Sequence, residues 1–141
     1  MTQSAFFLPA LLQVFLTILL FISLAIAKSR AAKAGLVNLE RRALHADAWP
    51  ENVIKINNNI RNQFEVPVLF YVTTIIIWEL ELVGITIQVL SWLFVASRYA
   101  HAWIHTGSND VPWRRRVFML GTLVVAMMTV MTTVAVIRAL M

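Results

Sequence analysis

Cysteine is absent from the 141 residues of this chain. Disulfides, thiolate metal sites and a protein-borne cysteine nucleophile are therefore excluded, and any thiol chemistry must use a thiol brought by a substrate. Charge is scarce as well. Asp, Glu, Lys and Arg make up 13% of the residues, while 60% are hydrophobic, against roughly 45–50% apolar content in soluble domains. So few charges cannot coat that much apolar surface, and with a mean hydropathy of +0.74 lipid is the simplest solvent. The length is that of one domain, residues 1–141. Acidic residues are the scarcer sign, 7 against 12 basic, for a net charge of +5. No basic helix or aromatic-interleaved sheet presents that surplus to nucleic acid. In a membrane protein the same surplus is expected beside the anionic inner leaflet.

Four apolar stretches of near-spanning length follow one another. Residues 6–27 are uncharged and carry Pro9 in the first turn, where proline is tolerated. Ala25-Ile26-Ala27 resembles a signal-peptide cleavage site, but the leader lacks cations, and Lys28, Arg30 and Lys33 follow the run. An uncleaved first span is expected, with its N-terminus outside. Pro50-Glu51 is a plausible helix start. Further spans are expected over 58–78, 82–105 and 117–137. Glu79 and Glu81 fall between the second and third and read as an acidic turn on the outer face rather than as intramembrane carboxylates. Met127, Met128 and Met131 read as interhelical packing, and no metal site is expected. Every cation except Arg138 lies in or beside the two inner loops. The expected fold is an all-α integral membrane protein, a four-helix up-and-down bundle with both termini non-cytoplasmic. The brevity of the chain and the lack of a retention signal point to a bacterial inner membrane.

The second and third spans are interrupted by polar residues. Asn58, Arg61, Asn62 and Glu65 recur at i, i+3, i+4 and i+7, the spacing of one helical face. The purely apolar run from Val66 to Trp78 covers only about 20 Å of helix, short of a hydrocarbon core of about 30 Å. The polar stripe must then sit at the membrane boundary and should face other helices, with an Arg61–Glu65 pair available at i, i+4. Arg98, His101 and His105 repeat the pattern on the inward-running third span. Two such faces at one depth make a pocket whose residual charge is positive. It suits an anionic, peptide-like zwitterion with an ammonium group for Glu65. The competing reading is a self-satisfied network that only joins the helices.

Arg61-Asn62-Gln63-Phe64-Glu65-Val66-Pro67 resembles the R-N-x-x-E-x-x-P region of the MAPEG family, the membrane-associated proteins in eicosanoid and glutathione metabolism. Arg98-Tyr99-Ala100-His101 resembles that family's R-x-x-H, and Pro112-Trp113-Arg114 its P-x-R before the fourth helix. The resemblance implies a homotrimer of four-helix protomers with glutathione bound between subunits near the cytoplasmic face. It implies that Arg61, Asn62 and Glu65 hold glutathione's charged ends with His101 nearby, and the polar faces add Asn58, Arg98 and His105 as candidate binding residues. It also implies that Arg114 lies near the thiol as the catalytic cation, since a fixed positive charge favours thiolate. The implied activity is a glutathione transferase or peroxidase acting on lipophilic electrophiles from the bilayer, with a non-catalytic scaffold or accessory subunit as the alternative. The chain departs from the family at His105 and Phe118, where catalytic members often carry tyrosine. Only Lys28 or Arg30 could stand for the family's first-helix arginine. A small cation exporter ranks last, because the first span has no carboxylate.

Overall fold

The computed structural model describes residues 3–141, and among them every regular element is helical. A 3-10 turn at Gln3–Phe7 leads into α1 (Leu8–Lys33). A turn-rich segment with a second 3-10 turn at Ala46–Ala48 leads to α2 (Glu51–Gln63). Then come α3 (Val66–Glu79), α4 (Ile85–Thr106) and α5 (Val111–Leu140). Pro50 precedes the first residue of α2 in extended conformation, as the Pro50-Glu51 start requires. Glu79 and Glu81 flank the exposed end of α3, and Glu81 takes a positive φ of 55° in the turn that reverses the chain.

The stripe of residues 58–65 does not lie on one continuous helix. α2 stops at Gln63, and Glu65 sits at φ −104°, ψ −106°, outside helical space. Pro67 is the cause: it has no N–H for the Gln63 carbonyl, and its ring would collide with that carbonyl in an unbroken helix. The chain restarts one step later with Pro67 in the first turn of α3, where proline costs nothing.

Large apolar side chains lie outside while several polar ones are buried. Leu11 and Val130 are 62% and 61% exposed, whereas Gln13, Asn59 and Arg98 are each at 0%. Two helical stretches, Ala5–Lys33 and Val111–Leu140, are long and apolar enough to cross a membrane. A soluble core helix could pass that test, but here only 22% and 28% of the most apolar windows are buried. The apolar side chains point outward, to where hydrocarbon would be, and the chain is a membrane protein.

Two apolar cores hold the helices together. Phe70, Ile77, Phe94, Val125 and Met128 join α3, α4 and α5, with Phe70 and Phe94 stacked at 4.3 Å between centroids. Leu16, Leu20, Leu24, Val53 and Ile60 join α1 to α2, with Ala102 of α4 closing the cluster. Between them, Gln13 donates to Gln63 Oε1 at 2.8 Å. Gln63 in turn donates to Asn59 O and Oδ1 at 3.1 and 3.0 Å, and Asn59 donates to Ala102 O at 3.3 Å. This amide chain ties α1, α2 and α4 where no water would serve.

α4 and α5 approach closely at Gly121. A Cβ there would lie 2.7 Å from Ser97 Oγ and 3.7 Å from both Arg98 Cδ and the Phe94 ring. Gly121→Ala should therefore cost about 1 kcal/mol and Gly121→Leu about 3 kcal/mol, the usual range for overpacking. Unfolding in mixed detergent micelles measures both. Adding Ser97→Ala should relieve the alanine variant and leave the leucine variant destabilised.

Candidate functional site

The break after Gln63 generates the site's first demand. A helix leaves its last carbonyls without intrahelical partners, and in lipid these need a partner from the protein. Phe64 N–H satisfies Arg61 O at 3.0 Å. The next carbonyl, Asn62 O, accepts from Arg98 Nη2 at 3.2 Å. A cation at a helix C-terminus also complements the helix dipole. Arg98 reaches across from α4 to do this, fully buried, its guanidinium lying 5.2 Å from the centroid of the Phe118 ring. Its Nε and Nη1 have no hydrogen-bond partner among the described residues.

Asn62 also connects to α4 through its side chain. Its Nδ2 lies 3.3 Å from His101 Nε2 and 3.3 Å from His105 Nδ1, and the two imidazoles meet edge to face. His101 Nδ1 is 3.2 Å from the Arg114 carbonyl. A carbonyl can only accept, so His101 carries its hydrogen on Nδ1, and Nε2 is left to accept from Asn62. The amide has two hydrogens, and the second goes to His105 Nδ1. His105 then carries its hydrogen on Nε2. The Arg114 carbonyl thus fixes the tautomer of His101, and the Asn62 amide fixes that of His105.

Arg114 is placed by the connection from α4 to α5. Asn109 donates its N–H to Ile104 O at 2.7 Å and takes a positive φ of 55°, which asparagine tolerates. Asp110 caps α5 by accepting from Trp113 N at 3.0 Å, and Pro112 occupies the first turn. The tight turn presses the start of α5 onto the end of α4, so Arg114 O meets His101. The Arg114 side chain, half-buried, donates through Nη1 to Asn109 Oδ1.

Asn62, Arg98, His101, His105 and Arg114 therefore converge, with Phe118 between Arg98 and His101. Asn58, Arg61 and Glu65 do not join them. All three are exposed on the protomer, and the expected Arg61–Glu65 pair is not formed; among the described residues the ion pairs are Arg41–Asp47 and Lys55–Glu51. The break turns Glu65 out of register with Arg61. The packed face of α2 is instead Val53, Asn59, Ile60 and Gln63. Sequence reasoning overlooked Gln13, Asn59 and Gln63. The signal was present: Gln13 is the one amide in an otherwise lipid-length run and needs a partner, and Asn59 and Gln63 offer it one turn apart.

Compared with known families, the chain matches the model of the MAPEG family over residues 6–134. No curated protein and no solved structure matches it.

The tautomers can be read directly. In protein labelled with 15N-histidine, His101 should show the Nδ1–H form and His105 the Nε2–H form. Asn62→Leu should release His105 to the usual mixture and leave His101 in the Nδ1–H form, held by the Arg114 carbonyl. The reverse assignment at either ring in the unaltered protein would mean that Asn62 does not donate to both.

Proposed function

From the premise that the chain belongs to the MAPEG family, we propose that it is a glutathione-binding membrane protein acting as a transferase or peroxidase on lipophilic electrophiles. On this reading it spans the bilayer four times, with α2 and α3 forming the second span. It assembles as a homotrimer, with both termini on the non-cytoplasmic side of a bacterial inner membrane.

One observation supports the reading above the others. Asn58, Arg61 and Glu65 lie exposed beside half-buried Asn62 and the buried Arg98, His101 and His105, although the neighbouring helix surface is apolar. Charges at that depth need partners, and the protomer supplies none for Arg61 or Glu65 among the described residues. A ligand held against a second protomer would supply them. Glutathione suits the residues present: its carboxylates match Arg61, its ammonium matches Glu65, and the buried Arg98 adds positive potential behind them. Asn58 and Asn62 add amide contacts. His105 contributes its Nε2–H, while His101 keeps Asn62 aligned.

Glutathione supplies the reacting thiol when bound. Arg114 stabilises the thiolate as a fixed cation on the first turn of α5, where the helix N-terminus adds positive potential. The hydrogen bond to Asn109 restrains its guanidinium, so little side-chain entropy is lost on meeting an anion. The lipophilic co-substrate arrives from the bilayer along the apolar outer surface of the helices.

One feature favours the scaffold alternative. Phe118 fills the space against Arg98 and His101 with a ring that has no hydroxyl to give to a leaving group. Calorimetry with glutathione and ultraviolet absorbance of the bound thiolate separate the readings. The unaltered protein should bind and show thiolate at neutral pH. Arg114→Ala should bind within about threefold and lose most of the thiolate signal, because one nearby cation is worth one or more pKa units. Heat without thiolate in the unaltered protein supports the accessory role, and absence of both removes glutathione from the proposal.

A further inference from the structure

The geometry points to a second anion site, distinct from the α2–α4 group: a pocket for a phosphate-bearing headgroup at the end of α1. A cavity of about 210 Å³ opens between the last turns of α1, the 42–46 segment and the first turns of α2. Lys28, Arg42 and His45 supply its basic groups, Asn57 an amide, and Trp49 and Val53 part of its apolar wall. No acidic residue lines it. The cations of this region divide in two. Arg41 is held by Asp47 at 3.0 Å, and Lys55 by Glu51 at 3.0 Å. Lys28 and Arg42 have no carboxylate partner among the described residues.

The walls are fixed rather than loose. Trp49 Nε1 donates to the Arg42 carbonyl at 3.3 Å, which pins the 42–46 segment to the indole. The Lys28 ammonium lies 4.9 Å from the centroid of the same ring. The cavity is smaller than the roughly 300–1,000 Å³ of sites for drug-sized ligands, so a headgroup suits it better than a tripeptide. Position argues the same way. Lys28 directly follows the apolar run of α1, the level at which lipid phosphates sit, and basic pockets between spanning helices there take anionic headgroups. Val53, Ile54 and Leu44 give the mouth an apolar side that would suit the glycerol and first methylenes of a lipid. The shared chemistry is a phosphate ester, whether it belongs to a lipid or is free.

The test uses the full chain, stripped of lipid in a neutral detergent, with adducts counted by native mass spectrometry. Phosphatidylglycerol should bind about tenfold more tightly than phosphatidylcholine. Arg42→Gln should reduce that binding about fivefold and Lys28→Gln with Arg42→Gln about thirtyfold, the scale set by one interfacial cation each. Arg138→Gln, at the far end of α5, should change nothing. Arg42 is exposed, so its single variant keeps the fold if the double variant does not. Competition by glycerol phosphate at equal concentration assigns the site to the free ester, and failure to compete assigns it to lipid. Phosphatidylglycerol retained unchanged by Arg42→Gln, or displaced by glutathione, overturns the second site. A failure of glutathione to bind at all leaves the lipid result intact, so the two readings fall separately.

Discussion

Pro67 ends α2, and most of the site follows from that. A helix that stops in water hands its last carbonyls to solvent, but in lipid each unmet group costs several kcal/mol. Arg98 answers by donating to Asn62 O. To do so it must be buried on α4, and it brings His101 and His105 with it on the same face. The Asn62 side chain then falls between the two imidazoles, and the tight turn into α5 places the Arg114 carbonyl on the far side of His101. Proline at one position thus sets the arrangement of side chains from three helices.

The amide chain from Gln13 to Ala102 serves the same site from behind. Interhelical hydrogen bonds in membranes contribute only about 0.6 kcal/mol each on average, so these bonds add little to stability. Their direction matters more. Gln63 spends its amide hydrogens within α2 on Asn59, so the rotation of α2 is held by the two bonds that leave it, Gln13 to Gln63 Oε1 and Asn59 to Ala102 O. That rotation puts Asn62 toward α4 and turns Asn58 and Arg61 out to the protomer surface. Gln13 Oε1 is left without a partner among the described residues.

Much of this was legible in the sequence, and the failures have specific causes. Composition and the outward-facing apolar residues agree, and Arg98, His101 and His105 fall on one buried face as their spacing predicts. The Pro50-Glu51 helix start and the turn after Glu79 lie where turn chemistry places them. The stripe from Asn58 to Glu65 misled because its spacing runs across Pro67's reach, and α2 ends before Glu65. It also misled because charge drew attention to one face of α2 while the neutral amides Asn59 and Gln63 packed the other. A residue with a full charge is conspicuous in a sequence, but in a lipid-embedded bundle an amide is easier to bury, since it needs only hydrogen bonds and not a counter-charge. The tautomers of His101 and His105 were out of reach, because they depend on which carbonyl a turn thirteen residues away presents.

The outward group also bears on assembly. An arginine facing the middle of a bilayer costs roughly 2.5–3.5 kcal/mol even by the lenient scales, and somewhat less near the boundary. Arg61 and Glu65 together would then use up a sizeable part of the roughly 5–15 kcal/mol by which a fold is stable. Pairing them with each other would remove most of that cost, and the break at Glu65 prevents it. A local substitution could have removed both charges. On the proposed reading, a second copy and a bound zwitterion meet these charges, which lie beside Asn62 without an internal partner among the described residues. In that setting the same charges that destabilise an isolated protomer become the groups that select both the ligand and the neighbour.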